Sequence, residues 1–205
     1  MDVSDRVVLI TGASSGVGAA LATKLAEMGA RVVVNYSRSA EAAEAVVAQI
    51  TAAGGQALAV QADVSEEADC KRLVDATMEH FGQLDALVNN AGTTTFIPHD
   101  QLDALTEDVW LRTLRVNLIG AFMMSREAAP HIEAAGGGEI IMTSSIASTT
   151  ANGSSIAYCA SKAGMNSLTR TLAKTLGKQK IRVNAVLPGL IDGDWAFNTW
   201  GEGDA

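Results

Sequence analysis

The sequence predicts a single doubly wound α/β domain, with a parallel sheet of at least six strands and helices on both faces. Three observations lead there. Short β-branched and apolar runs recur along the chain, separated by longer stretches rich in Ala, Leu, Glu and Lys with helical periodicity. The strand runs are apolar nearly throughout, as strands covered on both faces are. No linker, low-complexity segment or fixed-period repeat interrupts the alternation.

In chain order, the first strand run is 6–11, ending in glycines; the others are 31–35, 57–61, 84–88, 139–143 and 181–187, the last closing on Pro188-Gly189. Between them, 40–53 and 66–81 read as helices, and Ser65 followed by Glu66 and Glu67 is a helix start. Longer helices are expected over 106–135 and 155–177. The ordered pattern covers residues 1–191. The stretch 192–205 differs, with four acidic residues, three glycines, no Lys or Arg and no apolar period.

Composition narrows the function class. The 205 residues carry a net charge of −8, so no basic field exists to attract nucleic acid. Apolar residues make up 48%, enough for a core and too many for a disordered chain. No apolar run approaches the roughly 18 residues of a membrane span, and the first residues are acidic where a secretory signal would be basic. Two cysteines, Cys70 and Cys159, are too few for a disulfide framework and suggest a reducing cytoplasm. His80, His99 and His131 are too far apart for a local metal motif, so no metal site is expected.

The first strand run leads into Thr11-Gly12-Ala13-Ser14-Ser15-Gly16-Val17-Gly18 and then an apolar helical stretch. A strand, a glycine-rich turn and a helix N-terminus together cradle phosphate, because the backbone can approach closely and the helix end favours negative charge. Gly12, Ser14, Ser15, Gly16, Val17 and Gly18 are the candidates, although the spacing G-x-x-x-G-x-G departs from the commoner G-x-G-x-x-G. At the end of the second strand, Asn35-Tyr36-Ser37-Arg38 lacks the acid that usually binds a ribose 2′-hydroxyl. Ser37 and Arg38 suit a 2′-phosphate instead, since guanidinium matches phosphate with two parallel bonds. The expected cofactor is NADP(H), with NAD(H) as the alternative; a solvated loop residue is the plain reading of Arg38.

With these motifs in view, the chain resembles the short-chain dehydrogenase/reductase family, and within it the 3-oxoacyl-carrier-protein-reductase-like ketoreductases. The resemblance rests on Thr11-Gly12-x-x-x-Gly16-x-Gly18, Asp63-Val64, Asn89-Asn90-Ala91-Gly92, Asn117, Ser145, Tyr158-x-x-x-Lys162 and Pro188-Gly189-x-Ile191 in that order. It implies a Rossmann-type domain. It further implies that Asp63 and Val64 flank the adenine, that Asn90, Ala91 and Gly92 line the cofactor, and that Pro188, Gly189 and Ile191 meet the nicotinamide end. Asn117, Ser145, Tyr158 and Lys162 would be the catalytic group.

The chemistry is also readable from the residue types. Tyr158 and Lys162, four apart on a helix, share one face. A tyrosine titrates near 10, and a lysine cation within about 4–6 Å is expected to lower that by ~1–3 units. Ser145, thirteen residues earlier and just past the fifth strand, would hold the substrate oxygen; that interval favours it over Ser144. Tyr158 would then protonate a ketone oxygen during hydride transfer, or act as base in the reverse direction. By resemblance, Lys162 also binds the nicotinamide ribose and Asn117 holds a proton-relaying water. Elsewhere on an arbitrary helix the Tyr-Lys pair would be a surface pair. Cys159 reads as a buried thiol, and Met123 and Met124 as helix packing.

The expected function is therefore interconversion of a small ketone and a secondary alcohol, without nucleic acid or membrane as partner. The alternative is a non-catalytic dinucleotide-binding sensor or scaffold on the same fold. Thr93 to Ile97 and Ile146 to Ile156 are the expected pocket walls. By resemblance the two long helices pack against symmetry mates in a dimer or tetramer, with Met165, Leu168, Leu172 and Leu176 as apolar contributors; the plain reading is that these leucines cover the sheet. Gly193 stands where relatives carry a threonine, and Trp195, Phe197 and Trp200 resemble the start of a substrate lid. The sixth strand would be an open edge without a seventh, so the functional protein is expected to be longer than 205 residues.

Overall fold

A computed structural model describes residues 3–191. The strands are β1 (Val7–Ile10), β2 (Arg31–Tyr36), β3 (Gln56–Gln61), β4 (Ala86–Asn89), β5 (Gly138–Thr143) and β6 (Ile181–Val186). They form one parallel sheet in the order β3-β2-β1-β4-β5-β6. Ile10 pairs with Val34 on one side and Val88 on the other, so β1 lies where the strand order reverses. Loops after β1 and β4 therefore diverge over a crevice at the carboxyl ends of the strands, where open α/β sheets bind ligands.

The helices are α1 (Gly16–Glu27), α2 (Ala40–Ala52), α3 (Glu67–Phe81), α4 (Glu107–Leu114), α5 (Ala121–Ala134), α6 (Ala147–Thr150) and α7 (Ile156–Leu176). Alternate residues of one strand serve opposite faces. Val7 and Leu9 join a core with Leu73 of α3, Ile132 of α5 and Met165 of α7. Val8 and Ile10 join a second with Ala22 of α1 and Ile50 of α2. These two apolar layers are why the central strands read as continuous hydrophobic runs.

Two local differences from the sequence reading have physical causes. Helix α3 starts at Glu67, not at Ser65, because the Asp63 carboxylate accepts both the Ser65 N–H (2.9 Å) and its hydroxyl (2.7 Å), holding Ser65 in the preceding turn. The helix expected over 106–135 is divided: α4, capped by Thr106, passes through a π-helical turn, Arg115–Gly120, into α5. Leu168, Leu172 and Leu176 are half-buried and pack against the core, so they help to cover the sheet.

Among the described residues β6 pairs only with β5, and its alternate residues Arg182, Asn184 and Val186 are exposed. The readings placed on Gly193, Trp195, Phe197 and Trp200 lie outside the described residues.

Candidate active site

The phosphate loop is tied down from two sides. Asn35, buried at the end of β2, accepts the Gly12 N–H on its Oδ1 (3.1 Å) and donates through Nδ2 to the carbonyls of Val60 (3.3 Å) and Ala62 (3.0 Å). Asn90, just past β4, donates through Nδ2 to the carbonyls of Thr11 (3.0 Å) and Gly12 (3.1 Å). The Thr11 hydroxyl oxygen accepts the N–H groups of Asn90 and Ala91, both at 3.0 Å. The loops on either side of the crevice are thereby stitched together.

Only glycine fits two of these positions. Gly12 has a φ of +63°, and a Cβ there would lie 2.9 Å from Ala91 Cα. A Cβ on Gly18 would lie 2.5 Å from the Gly12 carbonyl oxygen and 2.7 Å from Asn90 Nδ2. Helix α1 begins with no side-chain cap on its first amides and no acidic residue in its first turn. Ser14, Ser15, Gly16 and Val17 thus surround a helix N-terminus with positive character, and the arrangement fits a dinucleotide pyrophosphate.

At the adenosine end, Ser37 accepts from Gln61 Nε2 on its carbonyl (3.0 Å), while Arg38 is exposed and forms no ion pair among the described residues. Asp63 is exposed and Val64 buried. The Asp63 N–H donates to Asp69 (2.8 Å), and that bond, with the neighbouring Arg72, lowers the Asp69 carboxyl below its ordinary range. The Val64 carbonyl approaches Gly120 so closely that a Cβ there would be 2.6 Å away, which brings the π-helical turn against this loop.

Asn117, in that turn, is fully buried. Its Oδ1 accepts the Thr93 N–H at 2.7 Å, and its Nδ2 donates to the Thr93 carbonyl (2.9 Å) and to Ser161 Oγ (3.0 Å). The Ser161 hydroxyl in turn donates to the Tyr158 carbonyl at 2.7 Å. The carboxamide therefore braces the loop after β4 against α7. π-Helical turns, which insert an extra residue, concentrate at functional sites.

Helix α7 starts where Ser155 Oγ accepts the Tyr158 N–H at 3.2 Å. Tyr158 is half-buried, and the Ser145 side chain favours the ionised form of its phenol. Lys162 is 3% exposed; its Nζ donates to the Thr143 carbonyl at 2.6 Å and stands 5.6 Å from the centroid of the Tyr158 ring. Ser144 points elsewhere, donating to the Lys162 carbonyl at 3.2 Å. Gly92 completes the group: a Cβ there would be 3.6 Å from Asn117 Oδ1 and 3.8 Å from Lys162 Nζ.

The ionisation states correct one expectation. Burial holds the Tyr158 phenol above its ordinary value, opposed by the Ser145 side chain. Burial also pushes the Lys162 ammonium down to about 8. The lysine was expected to lower the tyrosine. Here its proton is directed at Thr143 and its charge lies over the ring face, so desolvation of the phenol outweighs it.

The expected pocket walls meet: Ile97 N–H donates to the Ser154 carbonyl (2.8 Å), and the hydroxyls of Thr94 and Ser154 are 2.6 Å apart. The Ile146 N–H donates to the Pro188 carbonyl at 3.0 Å, which brings the Pro188-Gly189 segment beside Ser145; Ile191 is exposed at the end of the described chain. Cys159 is a buried thiol whose pKa is raised by burial. Among the described residues no cluster of three metal-ligating side chains occurs, and no helix is long and apolar enough to cross a membrane.

Comparison with known proteins identifies the family of the chain. The family model for short chain dehydrogenases matches residues 6–201. The chain belongs to the short-chain dehydrogenase/reductase family. It is 49% identical over 193 residues to a protein of Streptomyces violaceoruber designated ketoacyl reductase 2 of the granaticin polyketide synthase, covering 94% of this chain and 76% of that one. It is 41% identical over 195 residues to a 3-oxoacyl-[acyl-carrier-protein] reductase of Synechocystis, covering 94% and 77%. A solved structure of a short-chain dehydrogenase/reductase from Burkholderia xenovorans superposes with a TM-score of 0.90 at 40% identity, covering 95% of this chain and 81% of that one. The protein is thus an oxidoreductase of the ketone–alcohol type using a nicotinamide dinucleotide, not a non-catalytic scaffold.

Sequence reasoning missed several residues of this short-chain dehydrogenase/reductase site. Asn35 had a visible signal, a lone amide in an otherwise β-branched strand. Ser161 had none, because its role is a bond to a side chain 44 residues away, and Thr93, read only as a pocket wall, also anchors Asn117.

Proposed function

We propose that this oxidoreductase reduces a small ketone with NADP(H), Tyr158 donating the proton and Ser145 holding the substrate oxygen. The buried Lys162, donating to the Thr143 carbonyl two residues before Ser145 and standing 5.6 Å from the centroid of the Tyr158 ring, carries this reading. Hydride to the carbonyl carbon is the chemistry that a bound nicotinamide supplies.

Ser145 Oγ accepts the Ala147 N–H at 3.2 Å, which leaves its own proton for an oxygen in the cleft. A phenol raised by burial is protonated near neutral pH, the state a proton donor needs. Transfer of that proton to the substrate oxygen completes the alcohol and leaves a phenolate facing the Lys162 cation, which offsets the new charge. Asn117 holds the loop and helix that frame these groups.

In the same reading, Gly12, Ser14, Ser15, Gly16, Val17 and Gly18 bind the pyrophosphate, Ser37 and Arg38 the 2′-phosphate, and Asp63 and Val64 the adenine. Asn90, Ala91, Gly92 and Lys162 line the nicotinamide riboside, with Pro188, Gly189 and Ile191 beyond it. The ketoacyl and 3-oxoacyl reductases among the relatives support a ketone as substrate. A homo-oligomer working in the cytoplasm is part of the proposal. NADPH oxidation measured over a panel of ketones, with cofactor binding measured alongside, tests it. Binding without turnover on any ketone would overturn it.

A further inference from the structure

Tyr158, Lys162 and Asn166 follow one another at four-residue intervals on α7, so they share a face. The proposed chemistry uses the first two. Asn166 Nδ2 donates to Ser148 Oγ at 2.7 Å. The Ser148 hydroxyl donates to the Ser145 carbonyl at 2.5 Å, and the Ser148 N–H reaches the same oxygen at 3.0 Å. Ser148 belongs to α6, the single helical turn that follows Ser145 almost directly.

The other end of the same amide is informative. Asn166 Oδ1 is buried with no hydrogen-bond partner among the described residues. A buried, unpartnered carbonyl oxygen is destabilising, and an apolar side chain of similar size would avoid the cost. Stability therefore does not explain an asparagine here. The group with a use is its N–H, and that use is the Ser148 oxygen.

We propose that Asn166 and Ser148 are positioning residues: their hydrogen-bonded chain locks the main chain at Ser145 and so aims the Ser145 hydroxyl at Tyr158. The proposal rests on the roles given above to Ser145 and Tyr158. It extends the site by one helical turn of α7 and makes α6 the lever that sets the serine.

The test uses the two-tyrosine content of the chain. In a Tyr36→Phe background, Tyr158 is the only phenol and its ionisation is followed by ultraviolet absorbance. Ser148→Ala removes the link; Tyr158 is expected to titrate at higher pH than in the parent, because the Ser145 side chain, which favours the phenolate, is no longer held in place. Ketone reduction by Ser148→Ala is expected to lose about tenfold or more in kcat, with KM and NADPH affinity within about twofold. Ser148→Thr keeps the hydroxyl and restores both readouts. Asn166→Leu shifts them in the same direction, and the Ser148→Ala/Asn166→Leu double variant is no worse than Ser148→Ala. An unmoved Tyr158 titration in both single variants would overturn the proposal, as would additive losses in the double variant. If the parent reduces no ketone, the proposed function fails, while the titration still decides the positioning role.

Discussion

The Lys162 ammonium donates to the main-chain oxygen of Thr143 at 2.6 Å. Thr143 ends β5, and Ser145 lies two residues further along. One strand end therefore anchors the cation of the site and presents its hydroxyl, while α7 brings the phenol to both. The cost is a cation almost wholly out of water, which is why burial draws Lys162 down to about 8.

That cost is measurable. Below about pH 8 the folded protein carries a buried cation, and this penalty is fully present. Between about 8 and the unfolded lysine value near ~10.4 the unfolded chain binds more protons, so wild-type stability rises with pH through that window. Lys162→Met is therefore expected to be inactive yet more stable than wild type at pH 7, by about 1–3 kcal/mol after loss of the Thr143 bond. The advantage should shrink between pH 8 and 10 in urea titrations. A Met variant less stable than wild type at pH 7 would contradict the account.

Tyr158→Phe removes the proton donor and keeps the ring. Turnover should fall at least ~1000-fold while the NADPH dissociation constant stays within about threefold. Stopped-flow reduction at wild-type rates would exclude Tyr158 as the donor.

Arg38→Ala tests the adenosine end. Pairing with a 2′-phosphate predicts a loss of NADPH affinity about tenfold or more, larger at low salt, with NADH nearly unaffected. Calorimetric titration of both cofactors separates the outcomes, and equal losses would remove Arg38 as the discriminator.

Gly18→Ala places a methyl carbon 2.5 Å from the Gly12 carbonyl, a backbone atom that cannot move without moving the phosphate loop. It should destabilise the fold by about 1–3 kcal/mol and weaken either dinucleotide. Gly177→Ala is the control, since Gly177 has ordinary helical angles and nothing within 4 Å of an added Cβ. Its melting temperature should be unchanged or slightly raised.

Within the first of the two long helical stretches expected to pack against symmetry mates, the structure leaves apolar side chains exposed. Leu111, Ile119 and Phe122 are 55%, 40% and 41% exposed along α4, the π-helical turn and α5. Light scattering at micromolar concentration should give a dimer or tetramer mass, and Phe122→Glu should lower it. A monomer in the unsubstituted protein would exclude the oligomer.

Much of the fold could be read from residue order alone. Six apolar runs and the helices between them follow from local periodicity, and each run seen in the sequence became a strand with ends displaced by two residues or fewer. The glycine loop and the Tyr158–Lys162 interval were equally legible, because a tight turn and a shared helix face are short-range properties. Ser65 misled for a local reason, since the nearby Asp63 carboxylate competes for its donors.

What the sequence determined by itself was the alternation of elements, the phosphate loop and the chemical types at the site. Tertiary structure decided which of those groups meet and in what ionisation state. Asn35 and Asn90 close on one loop from β2 and β4, Asn117 reaches Thr93 and Ser161, and Ser144 turns away where Ser145 turns in. These are contacts between residues far apart in the chain, which no local pattern encodes. The raised Tyr158 phenol and the lowered Lys162 ammonium have the same origin, because desolvation depends on everything packed around a group and not on its neighbours in sequence.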